Sequence, residues 1–142
     1  MTKTTFHAVL VAVAVAVGGA SYPTISGAAE AVSAAVAKPL DAANKAIRAG
    51  KVDEGLAKLR EVDGTAGKTA YDTYVMNQLL AYANVRRNNY AEAAKAMEAQ
   101  LASSFPSASE KNTLNKQLLG IYFNQRNYAK AVDLGNALVS AG

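Results

Sequence analysis

The side chains that could take part in catalysis are few in this chain of 142 residues. It has one histidine, His7, and no cysteine. His7 lies in a segment that we expect to be cleaved off, so the mature protein would have neither an imidazole base nor a thiolate nucleophile. This excludes Ser-His catalytic triads, structural disulfides and most zinc sites. It also excludes a bacterial lipoprotein, because the lipid is attached to a cysteine.

Carboxylates are the remaining candidates for acid–base chemistry. They lie in segments of helical periodicity that also carry basic residues, and such neighbours are typical of a solvated, ion-paired helix face. The sequence contains no glycine-rich phosphate-binding loop and no acidic loop with calcium-binding spacing. It therefore predicts that the protein is not an enzyme and has no cofactor or metal. The acidic residues concerned are Asp53, Glu54, Glu92 and Glu98, and the basic ones are Lys58, Arg60 and Lys95.

The composition favours a small protein built from closely packed helices. Hydrophobic residues make up 51% of the chain, but alanine supplies much of this share, and aromatic residues make up only 7%. A β-sandwich would need more β-branched and aromatic residues. The 15 basic and 11 acidic residues are spread along the chain, without the cluster of Lys and Arg that nucleic-acid binding requires. We therefore expect one all-α domain that does not bind nucleic acid.

Residues 1–28 have the features of a cleavable signal peptide. A positive charge precedes an unbroken apolar run at residues 8–17, and small residues follow it. The run is too short for a membrane-spanning helix, which needs about 20 residues. We expect cleavage after Ala20 or Ala28, an Ala-rich lead-in at 29–38, and a periplasmic or secreted protein without a stable membrane span. The alternative is an uncleaved membrane anchor.

One short sequence motif recurs at an interval of 38 residues. It reads KVDEGLAKL at 51–59, NYAEAAKAM at 89–97 and NYAKAVDLG at 127–135. Segments with helical periodicity alternate with short turns around these copies, so the sequence predicts six helices in three pairs. One pair cannot bury its apolar face alone, and stacked neighbours would form the core. The matching positions are Val52, Tyr90 and Tyr128 and, three residues later, Gly55, Ala93 and Ala131.

The predicted helices follow from caps, breakers and apolar spacing. The first begins at Pro39, which suits a first helical position, and ends before Gly50. Ser109 is predicted to cap the fifth helix, and Pro106 marks the loop before it. The other helices are predicted at 52–62, 71–86, 90–102 and from 128 almost to the C-terminus. The inward-facing residues are Leu40, Ala43, Ala46 and Ile47 in the first helix, Leu56, Leu59 and Val62 in the second, Tyr71, Val75, Leu79 and Tyr82 in the third, and Leu114, Leu118, Ile121 and Tyr122 in the fifth.

These details resemble the tetratricopeptide repeat family. Its pattern has Leu and a small residue in the first helix, an aromatic residue opening the second, and a small residue three positions later. The resemblance covers 39–142 and implies a solenoid of three helical hairpins, with a plain helical bundle as the alternative. The turn before Tyr128 is predicted to be one residue shorter than the turn before Tyr90, which displaces the preceding helix by one position. The matching residues are Leu80, Ala81, Tyr90, Ala93, Met97 and Pro106 in the middle repeat, Leu119, Gly120, Tyr128 and Ala131 in the last, and Ala42, Ala43, Val52 and Gly55 in the first.

In this family the first helices line a concave groove that holds a peptide or protein segment. The resemblance implies an exported, non-enzymatic adaptor or scaffold in envelope assembly or transport. The amides of Gln78 and Gln117 both donate and accept, and Tyr82 has a flat apolar face with a polar tip, so a neutral extended segment is the expected partner. The alternative is that Val75 and its apolar counterparts on the fifth helix are simply core. The implied groove residues are Val75, Gln78, Tyr82, Val85 and Arg86 in the third helix, and Leu114, Gln117, Ile121, Asn124 and Gln125 in and after the fifth.

The sixth helix predicts a second surface, because it has few charges and a side of small residues on which another helix could lie close. That helix could belong to a second copy, to a partner or to residues 30–37; the alternative is that the small side is merely solvated. The alternative function is therefore a structural subunit that self-assembles through an uncapped C-terminal helix. The predicted core side is Tyr128, Ala131, Val132, Gly135, Leu138 and Val139, and the small side is Ala129, Asn136, Ala137, Ser140 and Ala141.

Overall fold

A computed structural model describes residues 31–140 and shows an all-helical chain in that range. Six α-helices and no strand are present there, which confirms the all-α prediction and the number of helices. None of the helices in this range is both long enough and apolar enough to cross a bilayer. The predicted signal peptide, 1–28, lies outside the described residues. The helices are α1 (Ala34–Arg48), α2 (Val52–Asp63), α3 (Ala70–Arg86), α4 (Tyr90–Ala102), α5 (Ala108–Asn124) and α6 (Tyr128–Ser140).

Three turns join α1 to α2, α3 to α4 and α5 to α6, and they share one backbone geometry. Each has three residues, and the middle one has a positive φ: 83° at Gly50, 57° at Asn88 and 58° at Arg126. The N–H of the next residue donates to the carbonyl five residues back, at 2.8 to 2.9 Å, which is the Schellman arrangement. The prediction of a shorter last turn is therefore wrong. The helices that precede the turns, α1, α3 and α5, also end 38 residues apart.

The small residue at the fourth position of α2, α4 and α6 lies where paired helices pack closely. Gly55, Ala93 and Ala131 are all buried. A Cβ atom on Gly55 would overlap the Ile47 side chain and would lie 3.1 Å from the carbonyl oxygen of Ala43. Close approach of α1 and α2 therefore explains a glycine inside a helix, although glycine costs about 1 kcal/mol there relative to alanine.

The first helix begins earlier than predicted. α1 starts at Ala34, so Pro39 lies inside the helix rather than at its first position. An internal proline costs about 3 kcal/mol, because it removes a backbone hydrogen bond and crowds the preceding turn. Burial offsets this cost, since Val36 and Leu40 are both completely buried in the core. The second half of the Ala-rich lead-in, 29–38, therefore belongs to the packed structure.

One buried carboxylate holds the start of α1 to the start of α3. Asp72 is completely buried and accepts hydrogen bonds from the Ser33 N–H at 2.8 Å and the Ser33 hydroxyl at 2.6 Å. It also accepts from the Thr69 N–H at 2.7 Å, while the Thr69 hydroxyl accepts from the Asp72 N–H, forming a capping box. Burial alone would raise the pKa of Asp72, but these hydrogen bonds outweigh burial and hold it below its usual value. We call this arrangement the Ser33–Asp72 clasp.

A second capping box begins α5 at a residue that the sequence analysis did not choose. The Ser107 hydroxyl accepts from the Glu110 N–H at 3.3 Å, and the Glu110 carboxylate accepts from the Ser107 N–H at 2.7 Å. The predicted cap, Ser109, lies inside the first turn instead. Of the two serines, Ser107 is the one with an acidic residue three positions later, which is the spacing that a capping box requires.

The apolar interior falls into two clusters that α3 links. The first confirms the core residues predicted for the first two helices. In α6 only Ala131 is buried, so the core prediction is wrong for Tyr128, Val132 and Val139, which are exposed. The physical reason is that, among the helices of the described range, only α5 has Cα atoms within 8 Å of those of α6. The first cluster is Val36, Leu40, Ala43, Ile47, Leu56, Leu59, Val62, Tyr74, Val75, Met76, Leu79 and Ala83; the second is Ala81, Ala93, Ala94, Ala96, Met97, Leu118, Ile121, Tyr122 and Ala131.

Candidate partner-binding surfaces

The predicted groove residues of α3 differ in how accessible they are. Val75 is buried in the first cluster, so its side chain is part of the core. Gln78, Tyr82 and Val85 are half-buried, and Arg86 is exposed. A partner that approached this side of α3 would therefore meet an amide, an aromatic ring and a guanidinium group.

The predicted groove residues in and directly after α5 also differ in how accessible they are. Ile121 is buried in the second cluster, and half-buried Leu114 packs against that cluster. Gln117 is half-buried, whereas Asn124 and Gln125 are exposed at the end of α5. The apolar members therefore contribute to the core, and the accessible atoms are mainly those of amides.

The equal turns change which residues of α3 and α5 correspond. At the 38-residue interval Gln78 corresponds to Lys116, and Gln117 corresponds to Leu79. One residue along a helix is a rotation of about 100°, so the two amides do not occupy equivalent positions. No Cα atom of α3 lies within 8 Å of a Cα atom of α5. Gln78 and Gln117 are therefore separate features and do not form a matched pair.

Tyr82 and Arg86 form a polar pair on the predicted binding side of α3. The Arg86 guanidinium donates to the Tyr82 hydroxyl at 3.1 Å, and its central carbon lies 5.7 Å from the ring centre, within cation–π range. One turn earlier, the Gln78 side chain lies near Tyr74 and opposes the rise of the Tyr74 pKa. Burial raises the pKa of Tyr74 to about 12, and the negative charge of Glu110 adds to the effect. The Tyr74 hydroxyl therefore stays protonated even in mildly alkaline solution.

A shallow depression of about 170 Å³ lies between α3 and α4. Its lining includes Asn77, Asn84 and the Glu92–Lys95 ion pair, whose closest N···O distance is 2.6 Å. The Asn77 carbonyl accepts from Gln100, and the Asn84 amide donates within its own helix. Small-molecule sites usually have about 300–1,000 Å³. The depression is smaller than that, and we assign it no ligand.

The carboxylates considered for acid–base chemistry take part in ion pairs, as the sequence predicts for a solvated face. Asp53 pairs with Arg87 from the turn after α3 rather than with a residue of its own helix. Exposed pairs of this kind contribute about 0–1 kcal/mol each. The pairs are Asp53–Arg87 at 2.9 Å, Glu54–Lys51 at 3.5 Å, Glu92–Lys95 at 2.6 Å and Glu98–Lys130 at 3.0 Å.

Glu98 differs from the other carboxylates because it joins three helices. The Tyr122 hydroxyl on α5 donates to Glu98, and Lys130 on α6 donates to the same oxygen at 3.0 Å. The hydrogen bonds from Tyr122 and Lys130 lower the pKa of Glu98. Burial and the contact with Glu98 raise the pKa of Tyr122. The cluster therefore ties α5 and α6 to α4.

The exposed large apolar side chains of the described range all lie on the last hairpin. The exposed fractions are 64% for Phe123, 53% for Tyr128, 58% for Val132 and 83% for Val139. The rings of Phe123 and Tyr128 meet edge to face with their centres 5.5 Å apart. Three of these residues follow one line along α6, with Gly135 between Val132 and Val139. We call Tyr128, Val132, Gly135 and Val139 the α6 stripe.

This surface was not predicted, because hydrophobic periodicity does not reveal whether a neighbouring helix is present. Tyr128, Val132 and Val139 are predicted core residues, and no role is predicted for Phe123. Two 38-residue intervals before Phe123 lies Ile47, which is buried between helices. The spacing therefore identified the apolar side of the hairpin correctly, and only the structure shows that no helix of the described range covers this side in the last hairpin.

Comparisons with known proteins find no relative of this chain. No protein-family model matches the chain, and neither a curated protein nor a solved structure does. The functional inference therefore rests on the chemistry of the two surfaces and on the internal 38-residue interval.

Proposed function

We propose that this protein is an exported, non-enzymatic helical-repeat protein that binds a segment of another protein. The proposal is supported by three hairpins with the same Schellman turn and the same buried small residue, a pattern that resembles the tetratricopeptide repeat. Repeats of this kind expose the sides of their helices as extended binding surfaces. Export is proposed from the apolar run and small residues of 1–28, and it implies a periplasmic or secreted protein of the bacterial envelope.

The observation that carries the binding proposal is the accessible side of α3. Tyr82 is half-buried, so its position is fixed by packing, while its hydroxyl is held by Arg86. Gln78 lies one turn away and supplies an amide that donates and accepts. Aromatic and arginine side chains are enriched among the residues that dominate binding energy. The expected partner is an extended, nearly neutral segment bound with micromolar affinity, about −8 kcal/mol.

The proposal is tested by cross-linking followed by a binding measurement. A photo-reactive amino acid in place of Tyr82 should cross-link one protein in the native envelope, whereas the same group in place of exposed Ala57 on α2 should not. The captured segment is then titrated against purified variants. We expect Tyr82→Ala with Gln78→Ala to weaken binding at least about tenfold. The control pair Thr73→Ala with Asn112→Ala, away from these two residues, should leave it unchanged. Equal binding by all three proteins would remove this surface from consideration.

A second candidate function is a structural subunit that self-assembles through α6. The specific observation in its favour is the exposed α6 stripe with Phe123 beside it. Apolar patches of this kind on a small protein often mark an interaction site. Sedimentation at increasing protein concentration tests this candidate, because self-assembly requires larger species to appear without any added partner.

A further inference from the structure

We propose that two copies of this chain pair through the α6 stripe as an antiparallel, two-fold-symmetric pair of helices. The inference rests on the second candidate function, self-assembly through α6. It goes beyond that candidate because it specifies the number of copies, their orientation and the residues in contact. Its occupant is a second copy of the same chain, and the arguments are spacing, shape, charge and area.

The spacing of the stripe suits a two-helix seam. Tyr128, Val132, Gly135 and Val139 follow one another at intervals of four, three and four residues. This alternation is that of a coiled-coil seam, in which helices cross at about 20° and stay in contact along their length. A helix of 13 residues therefore presents about 20 Å of continuous contact.

The shape of the stripe is complementary to itself only when the second copy runs in the opposite direction. The aromatic end of the stripe, with Phe123 beside Tyr128, is bulky, and the other half contains Gly135. In an antiparallel pair Tyr128 lies opposite the partner's Val139, and Val132 lies opposite the partner's Gly135. Tyr128 and Val132 thus each lie opposite a smaller residue of the other copy, and the two-fold symmetry repeats both pairs. A parallel pair would place the aromatic ends together and leave a gap at the two glycines.

The charges of α6 permit this pairing. Lys130 and Asp133 are the charged residues of the helix, and their positions place them on the side away from the stripe. Lys130 is already held by Glu98. A two-fold axis brings identical residues of two copies near each other, so a charged residue in the seam would lie close to the same charge on the other copy and be repelled. The uncharged stripe avoids this repulsion, and antiparallel helix dipoles are also favourable.

Head-to-tail stacking of copies is disfavoured by the outer side of α1. Three residues of α3 are buried in the core that α3 shares with α2. The residues of α1 that lie 38 positions earlier are all charged, and Asp41 and Lys45 among them form an ion pair at 2.7 Å. Packing this side of α1 onto the α6 stripe of another copy would desolvate these charges without new partners. The buried residues are Met76, Leu79 and Ala83, and their counterparts are Lys38, Asp41 and Lys45.

The exposed area is enough for a weak dimer. An aromatic side chain has roughly 150–250 Å² to bury, so Phe123 and Tyr128 together offer roughly 200 Å² at their observed exposure. The two valines roughly double this, so two copies would bury about 800 Å² in total, which is below the 1,200–2,000 Å² of stable interfaces and in the range of weak, transient ones. We expect a dimer that forms in the micromolar range.

The test is sedimentation of the full chain across the micromolar range, with variants chosen on and off the stripe. The unmodified chain should pass from monomer to dimer and no further. Val132→Lys places a charge in the seam and should raise the dissociation constant at least about tenfold. Ala137→Lys, on the other side of α6, should have no such effect. Because both positions are exposed, circular dichroism should show both variants folded.

Disulfide trapping tests the orientation, since the chain has no cysteine of its own. An oxidised mixture of Tyr128→Cys and Val139→Cys chains should give the mixed disulfide, and neither variant alone should dimerise covalently. Self-cross-linking of Tyr128→Cys would instead indicate a parallel pair and overturn the inference.

The outcomes separate this inference from the functions on which it rests. A monomer at all concentrations, whether or not residues 1–30 or a partner cover the stripe, would overturn both the pairing and self-assembly, and would leave segment binding by α3 intact. Assemblies that keep growing and that Val132→Lys abolishes would support self-assembly and overturn the two-fold pair. A dimer that Val132→Lys does not weaken would overturn the α6 seam.

Discussion

The first two hairpins and the last one have the same turns but different interiors. Leu56 on α2 and Ala94 on α4 are buried, whereas the corresponding residue on α6, Val132, is exposed. The turn before each of these helices has the same Schellman hydrogen bonds, and the fourth residue of each helix is buried and small. Formation of a hairpin and burial of its apolar side are therefore separate properties of this chain.

The difference shows which part of the stability is local. A hairpin needs a turn that reverses the chain and a small residue that lets its helices approach, and all three copies have both. Burial of the outer side of α2 and α4 depends on the following helices, α3 and α5. The last hairpin keeps an apolar side that matches the others, and this is why the exposed large apolar side chains of the described range lie there.

The largest expected effect separates the two regions at corresponding positions. Leu56→Ala should lower the free energy of unfolding by about 3 kcal/mol, because it removes buried methyl groups and leaves a cavity. Val132→Ala should change it by less than about 0.5 kcal/mol, because the side chain is already exposed to water. The measurement is urea unfolding at protein concentrations too low for pairing of α6. A similar loss for both variants in dilute solution would mean that the outer side of α6 is covered within one chain.

Substitution by alanine should lower stability at one helical glycine and raise it at another. Gly55→Ala forces its new Cβ into Ile47 and should destabilise the protein by about 2 kcal/mol. A Cβ atom on Gly120, in α5, would meet no atom of another element of the described range within 4 Å, so Gly120→Ala should stabilise the protein by up to about 1 kcal/mol. Thermal and urea unfolding of the two variants measure both effects. Stabilisation by Gly55→Ala would show that α1 and α2 have room to separate.

The hairpins were predictable from the sequence because their determinants are local. Gly55, Ala93 and Ala131 recur at one interval, and the structure shows all three buried at the fourth position of their helices. The start of α1 was not found, because Pro39 matched the preference of proline for a first helical position. Val36, one turn before Leu40 on the same apolar side, was the available signal that the helix begins earlier.

The candidate sites were less predictable because they depend on contacts between distant residues. The Ser33–Asp72 clasp joins residues 39 positions apart, and neither residue has a local pattern that indicates the other. The groove residues were chosen with a shift of one position, which followed from a wrong turn length rather than from the chemistry of the side chains. The exposure of Phe123 arises because no helix of the described range covers it, and no spacing within the hairpin encodes this.

The smallest predicted effect concerns two carboxylates: Asp72, which joins the first two hairpins, and Glu98, which joins the second hairpin to the last. The pKa of Asp72 and that of Glu98 are both lowered in the folded protein, so each carboxylate stabilises the fold fully above its ordinary pKa and loses this contribution as the pH falls through the folded value. Asp72→Asn should therefore cost about 1–2 kcal/mol at pH 7, because buried donors lose a charged acceptor. Glu98→Gln should cost less than about 1 kcal/mol, because the Glu98 side chain is 43% exposed and water screens its ion pair.

Urea unfolding of the unmodified chain and both variants at neutral pH and at pH values below the ordinary value of 3.8 for Asp72 checks this comparison. The difference between the unmodified chain and Asp72→Asn should shrink in acid, because protonation of Asp72 removes the same charged acceptor. Hydrogen exchange should show that the loss begins in α1, since the Ser33–Asp72 clasp holds the start of that helix. A difference that stays constant with pH would mean that the shape of the Asp72 side chain, and not its charge, holds α1 to α3.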